Sequence, residues 1–474
     1  MRQESAMASG YNLRNGVSGM TRREFLHAGA GSLAALAAAG LPGLTRAASA
    51  PGPNMVFILS DDHRWDHLGC MGHPFVKTPS MDRLASQGVI FENAFVATSL
   101  CSPSRACFLT GQYPHTHGVR NNITPWNDRN VTFLELLKKA GYDTAFIGKW
   151  HMPGSGLPRL RGVDRFVSFT AERGQGRYLD CPLYVDGRWR ESRREYITEE
   201  LTDYAIEFID ARRDRPFCLY LAHKAVHHQW TAPEPFKGMY DRISDLKLPP
   251  EADPWVGLVD NNITYGMLGR LPDLYRRYCE TITALDSEIG RLLEALDSRG
   301  LGENTVVVYA GDNGFLWGEH HRVDKRWAYE ESIRIPFIVR YPRLVGRPGT
   351  RIGDMVLNVD LAPTLLDLAG KAPPRTMEGL SFAPFLSSRQ VSWRSAWLYE
   401  CFKDYPYTVP DIFAVRTRTH KYVETDSPCH PPELYDIVDD PKERRNLVGT
   451  EAGANALPAL KRELDRLKKE AGII

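Results

Sequence analysis

Neither sign of charge is in excess in this chain of 474 residues, with 59 Lys and Arg against 58 Asp and Glu. It therefore lacks the global basic field that holds nucleic acid. The eight cysteines, Cys70, Cys101, Cys107, Cys181, Cys218, Cys279, Cys401 and Cys429, include no CxxC pair. That excludes the usual paired-cysteine zinc site, and so few thiols in so long a chain make no disulfide framework. Internal repeats are missing as well. Hydrophobic residues at 43% and charged residues at 25% exclude a disordered, collagen-like or coiled-coil chain. What is present is 32 Pro and 39 Gly, the texture of a loop-rich enzyme. The length exceeds one ordinary core, taking about 150 residues per domain, and predicts one large and one smaller domain.

The first fifty residues read as an address. Thr21-Arg-Arg-Glu-Phe-Leu26 precedes an uncharged, Ala-rich run from Phe25 to Thr45 and then Ala47-Ala-Ser-Ala50. A basic start, a modest apolar stretch and a small-residue end form a secretory signal. The run is about long enough to span a bilayer, but its Ala and Gly content makes it only weakly apolar. Arg22-Arg23 with Phe25-Leu26 resembles a twin-arginine export signal, which a translocon (the Tat machinery) reads. The expectation is an exported, periplasmic protein, with Met20 as an alternative start. Twin-arginine export carries folded proteins, so a modification that must precede folding would occur in the cytoplasm.

Strand and helix patterns alternate from residue 55 onward. Met55 to Leu59, Thr144 to Ile147, Phe217 to Ala222, Thr305 to Ala310 and Ile335 to Tyr341 read as buried strands. Phe133 to Ala140, Tyr196 to Arg212 and Leu274 to Arg299 read as helices. This predicts an α/β fold: a large, mostly parallel sheet with helices on both faces. After about residue 375 short segments at Trp393 to Glu400 and Phe413 to Val415, then a charged helix from Leu457 to Ala471, predict a small C-terminal α+β domain with a short antiparallel sheet. The expected division is 1–50 signal, 51–375 catalytic domain and 376–474 C-terminal subdomain. Residues 153–162 and 231–272 are expected to form loops over the site.

Polar residues recur just past four strand ends, where ligands bind in open α/β sheets. Asp61-Asp62 and Asp312-Asn313 supply three carboxylates and an amide oxygen, hard ligands suited to Ca²⁺ or Mg²⁺. Either pair by itself is equally a cap for a following helix or turn. In Cys101-Ser-Pro-Ser-Arg105, Pro103 suits the first turn of a helix and would put Cys101 at its positive end. Taken alone, the same residues read as a buried cysteine beside a surface arginine.

The Cys-x-Pro-x-Arg spacing settles between these readings, because it is the signature of type I sulfatases of the alkaline phosphatase superfamily. The chain resembles that family over residues 53–450. The resemblance runs through Ser60-Asp-Asp62, Thr78 to Ala85, Leu109-Thr-Gly111, Gly148-Lys-Trp-His151, Gly311-Asp-Asn-Gly314, Gly318-Glu-His320, Lys325 with Tyr329-Glu330, Leu361 to Leu366 and Glu433-Leu-Tyr-Asp436. It implies that a maturation enzyme oxidises Cys101 to formylglycine. It implies that Asp61, Asp62, Asp312, Asn313 and residue 101 bind one Ca²⁺, with Mg²⁺ as the alternative. It further implies that Arg105, Lys149 and Lys325 surround the sulfate, that His151 contacts the formylglycine hydroxyls, and that His227 or Lys325 protonates the leaving group. Two departures stand out: Val226 precedes His227 where proline is common, and His321 follows Gly-Glu-His where glycine is frequent.

Phe166 to Phe169, Gly174-Gln-Gly176, Tyr178, Val185-Asp-Gly187, His223 to His227 and Phe315 to His320 with Asp324 resemble N-acetylglucosamine-6-sulfatases and mucin-desulfating sulfatases. The implied partner is a sulfated carbohydrate, and no nucleic acid is expected. Glu319, His321 and Trp317 are candidate substrate contacts. Trp150, Trp230 and Trp317 either stack on a sugar or pack in the core. Phosphonate monoester and phosphodiester hydrolases share the signature and stand as the alternative activity. An inactive glycan-binding homologue is the more remote reading, since every expected catalytic position is filled.

Overall fold

A computed structural model describes residues 52–153, 157, 160–170, 175–211, 214–249 and 271–474. The address at 1–50 lies outside the described residues, as do parts of the loops expected at 153–162 and 231–272. Among the described residues no helix is long and apolar enough to cross a membrane.

Ten strands form the main sheet: β1 Asn54–Ser60, β2 Val89–Phe91, β3 Asp143–Gly148, β4 Arg165–Ser168, β5 Leu183–Val185, β6 Arg188–Arg190, β7 Phe217–Ala222, β8 Thr305–Gly311, β9 Phe337–Arg340 and β10 Thr350–Ile352. Their order is β10-β2-β9-β8-β1-β7-β3-β4-β5-β6. The run β8-β1-β7-β3-β4 is parallel throughout. The strand expected at Ile335 to Tyr341 forms as β9 and runs antiparallel to both β8 and β2. The chain leaving β8 contributes Asp312, Asn313 and Lys325 before it returns, and it contains only a four-residue helix, Glu330–Ile333, where a parallel crossover would place a long one.

The central strands read as continuous apolar runs because helices cover both faces. Met55, Phe57 and Leu59 of β1 join the core that contains Phe108, Leu109, Phe133, Leu137, Leu361 and Leu365. Val56 and Ile58 point the other way, into the core with Leu201, Leu285, Ile289 and Leu293. The helices concerned are α1 Cys101–Thr110, α2 Phe133–Lys139, α3 Ile197–Asp210, α4 Leu271–Ser298 and α5 Leu361–Leu368. Thr132 caps α2, its side chain accepting from the Glu135 N–H.

A second sheet of four antiparallel strands follows: β11 Ala396–Cys401, β12 Ile412–Thr417, β13 His420–Thr425 and β14 Glu433–Asp436. Alternation divides its side chains between two cores. Trp397, Tyr399, Ala414 and Val423 pack with Phe95, Cys107 and Leu316. Leu398, Val415, Tyr422 and Leu434 pack with Leu460 and Leu464 of α6, Glu451–Glu470. Leu464 has no exposed surface. Leu464→Ala is expected to lower stability by about 2–5 kcal/mol through the cavity it leaves, and Leu464→Met by less than about 1.5 kcal/mol. Denaturant midpoints at constant slope check both values.

Candidate active site

Register builds the site. Ser60 of β1 pairs with Gly311 of β8, Leu59 pairs with Ala222 of β7, and Ala222 pairs with Gly148 of β3. Four strands therefore end level, and the next residues of each, Asp61-Asp62, Asp312-Asn313, His223 and Lys149, emerge side by side. Gly148 is needed at its position. Its φ is +113°, and a Cβ there would lie 1.8 Å from the Ala222 carbonyl oxygen.

Cys101 is the first residue of α1, and all ten residues of that helix are buried. Cys101 Sγ lies 3.5 Å from Asp61 Oδ1 and 3.1 Å from Lys325 Nζ. Ligand atoms of Asp61, Asp62, Cys101 and Asp312 all fall within 4.8 Å of one another. Asn313 Nδ2 donates to Asp62 Oδ1 at 2.7 Å. Arg105 Nε donates to Asp312 Oδ2 at 2.9 Å, while its Nη2 reaches Asp61 at 3.5 Å. Lys149 is ion-paired to Asp61, and Lys325 to Asp62. His227 Nε2 stands 3.7 Å from Asp62 Oδ2. His151 joins the group through Gln175, whose amide meets both Lys149 Nζ at 2.5 Å and His151 Nε2 at 2.9 Å.

The electrostatics show how crowded this is. Burial opposes ionisation of Asp61, but Lys149, His227, Arg105 and Lys325 together hold its carboxyl well below the usual range. Burial pushes Asp312 up to about 7, and the Asp61 charge adds to the rise. Asp62 also rises, through burial and Asp61, despite Lys325. Burial and the Lys149 ammonium hold His151 and His227 well below the ordinary histidine range. Burial drives the Cys101 thiol far up.

The family model described as Sulfatase matches residues 53–371. The chain belongs to the sulfatase family. A second model, described as N-sulphoglucosamine sulphohydrolase, C-terminal, matches residues 318–470. An N-acetylglucosamine-6-O-sulfatase of Bacteroides thetaiotaomicron is 31% identical over 88% of this chain and 86% of its own length. An ulvan-active sulfatase of Formosa agariphila is 30% identical over 84% of this chain and 77% of its own. A solved structure described as in complex with its substrate D-glucosamine-2-N,6-O-disulfate superposes with a TM-score of 0.80 at 29% identity, covering 89% of this chain and 98% of that one. The chain is thus a hydrolase of the alkaline phosphatase superfamily, and the family implies a formylglycine and a metal site.

The residues fit such a metal. Asp62 Oδ2 and Asn313 Oδ1 are buried oxygens without a hydrogen-bond partner among the described residues. They sit in a group of hard oxygen donors in which Asp62 and Asp312 are raised by burial and by the Asp61 charge, as an added cation would offset.

The substrate candidates fare differently. Trp317 has no exposed surface and packs against Trp230, Tyr278 and Phe315, the surroundings of a core residue. Trp230 and Trp150 are buried likewise. Glu319 is consumed by Arg64 at 2.5 Å and by the Trp317 N–H at 2.6 Å. It lies with His321 on the wall of a separate cavity of about 650 Å³, alongside Asp66, His67 and Tyr275. His321 has φ +55°, which explains why glycine is frequent there.

Three neighbours were not expected from the sequence. Asn122 Oδ1 accepts from the Ser102 N–H at 3.0 Å at the start of α1. Tyr278 hydroxyl donates to the Asp62 carbonyl at 2.8 Å. Gln175 is the third. Its Gly-Gln-Gly setting was visible, but no spacing rule ties it to Lys149.

Adding a divalent oxygen-seeking cation to chelator-treated protein is expected to raise its unfolding transition, by about 2.7 kcal/mol at a hundred times the dissociation constant. Asp312→Asn should flatten that response. An equal response in the variant would count against this donor set.

Proposed function

We propose that this sulfatase removes a 6-O-sulfate from N-acetylglucosamine units of a glycan, with Ca²⁺ at Asp61, Asp62, Asp312, Asn313 and residue 101. The observation that carries the reading is the placement of Cys101 between two lysines, Lys149 and Lys325, over a buried set of hard oxygen ligands. The sugar is supported by the N-acetylglucosamine-6-O-sulfatase relative, although the ulvan-active relative is almost as similar.

When present, formylglycine supplies as its hydrate two geminal oxygens, one to attack sulfur and one to expel sulfate, and Ca²⁺ supplies a Lewis acid. The chain's own residues do the rest. Arg105 spans Asp312 and Asp61 and keeps both oriented. Lys149 and Lys325 stand as preorganised cations where negative charge grows on the sulfate oxygens. His151 meets the Gln175 amide that also holds Lys149, and its carbonyl accepts from the hydroxyl of Ser102, the neighbour of residue 101. His227 or Lys325 protonates the departing sugar oxygen, and both flank the Asp62 side of the nucleophile. We further read residues 1–50 as a twin-arginine leader of an exported, periplasmic protein matured by a formylglycine-generating enzyme, and 376–474 as a subdomain.

Purified enzyme is expected to release inorganic sulfate from N-acetylglucosamine-6-sulfate and to leave a phenyl phosphonate ester nearly untouched. Sulfate release only from other sulfated glycans would discard the sugar, and phosphonate cleavage alone would discard the sulfatase activity of this chain. Cys101→Ala, and Cys101→Ser from an aerobic host, should abolish turnover while the fold persists. For His227→Ala the loss on the sugar sulfate should be about 10²- to 10⁴-fold. It should be far smaller on an aryl sulfate, whose leaving group needs no proton. Equal losses on both substrates would move the acid role to Lys325.

A further inference from the structure

We propose that Gln175 is a positioning residue that holds the Lys149 ammonium and selects the Nδ1–H tautomer of His151. An ammonium only donates, so the amide oxygen of Gln175 must be the atom that faces Lys149 Nζ, at 2.5 Å. The amide nitrogen is then the atom 2.9 Å from His151 Nε2. An NH₂ group also only donates, so Nε2 must present its lone pair. The ring proton therefore sits on Nδ1. That atom is buried and has no hydrogen-bond partner among the described residues, so its N–H is available to an oxygen arriving at the site. One side chain thus fixes both residues of the Lys149-Trp-His151 strand end, and it does so from a different segment of the chain.

That segment is itself anchored to the site. Gly176 has φ +70°, and a Cβ there would lie 2.7 Å from the Phe169 ring. Two residues on, the Tyr178 hydroxyl donates to the His227 carbonyl at 2.8 Å, and its ring stacks on Tyr196 at 5.8 Å. Residues 175–178 therefore touch Lys149 and His151 on one side and His227 on the other. The glutamine and the glycine have separate duties: Gln175 supplies a donor and an acceptor at fixed separation, and Gly176 lets the backbone pass close to Phe169. Neither a carboxylate nor a shorter amide reproduces the first duty. A carboxylate has no donor for Nε2, and an asparagine is too short to bridge both partners.

The kinetic consequence rests on the sulfate-ester reading above, whereas the tautomer is a property of the folded protein alone. The test uses ¹⁵N-histidine-labelled full chain as purified, with the His151 resonances identified by their loss in His151→Ala. Wild type should show a protonated Nδ1 and an unprotonated Nε2. Gln175→Glu keeps the acceptor for Lys149 but turns an acceptor towards Nε2, and it should invert the pattern. Gln175→Leu should lose the fixed pattern and lower kcat by about 10- to 100-fold, the usual scale for a partner that orients a reacting group. KM should stay within about threefold and the unfolding midpoint should match wild type. A wild-type ring protonated on Nε2, or an unchanged pattern in Gln175→Glu, overturns the assignment whether or not sulfate is released. An absence of sulfate release by wild type would sink the functional reading, and the ring pattern would still decide Gln175.

Discussion

Three carboxylates share one buried pocket, and the architecture around them answers that constraint. Ligand atoms of Asp61, Asp62 and Asp312 fall within 4.8 Å of one another and none of the three residues has exposed surface. Two unit charges about 4 Å apart repel by about 4 kcal/mol at an effective dielectric constant of 20. Arg105, Lys149 and Lys325 each answer one or two of these acids, and each comes from a different part of the fold. Asp62 and Asp312 nevertheless stay raised, burial being the first cause and the neighbouring Asp61 charge adding to it. A divalent cation would supply the missing charge. Level strand ends and a helix that begins at residue 101 are what such a pocket requires. Removing one partner of a buried pair leaves an uncompensated charge, which costs about 3–5 kcal/mol.

The C-terminal sheet takes part in the same electrostatic frame. Asp404, between β11 and β12, accepts from Arg326 Nε and Nη2 at 2.9 and 2.7 Å and from the Asn122 N–H at 3.2 Å. Arg326 follows Lys325, and Asn122 meets the start of α1, so one carboxylate of the second sheet steadies both flanks of the nucleophile. Farther out, Glu330 is held by Arg416 at 3.0 Å and Lys421 at 3.2 Å, with Glu443 at 2.6 Å from the same lysine. Burial opposes the ionisation of Glu330, yet the two cations hold it far below the usual range. These contacts join the strand-end loop after β8 to β12 and β13, so the sheet braces the segment that delivers Lys325.

Much of this was legible in the sequence, for identifiable reasons. β1, β7 and β8 are uninterrupted apolar runs of about the right length, and the polar residues that follow them are the ones the register brings together. The Cys-x-Pro-x-Arg spacing is local, so it placed Cys101 at a helix start and Arg105 one turn along. What was not legible depends on contacts between distant segments. The antiparallel course of β9 follows from how the chain between 312 and 336 is used, which no periodicity records. Trp317, beside the Gly-Glu-His motif, could be read either as a sugar platform or as core, and only its contacts with Trp230, Tyr278 and Phe315 show how it packs. The pairing of Glu319, a candidate substrate contact, with Arg64 was not visible because the two lie 255 positions apart. Asp404 and Gln175 carry no spacing signature at all, and only the folded chain shows what they touch.

Burial of Cys101 also constrains how the nucleophile is made. The side chain has no exposed surface and opens α1, a helix whose ten residues are all buried. A modifying enzyme must bring its own reactive groups to the thiol, which is fully buried once the chain has folded. The oxidation of Cys101 that the family implies would therefore come before α1 is buried. A twin-arginine leader, as proposed for residues 1–50, would add a second ordering, because that route carries chains that have already folded. With such a leader, the aldehyde-forming step would fall on the cytoplasmic side and ahead of export. The burial that desolvates the nucleophile and strengthens every charge around it is the same burial that fixes when the nucleophile has to be made.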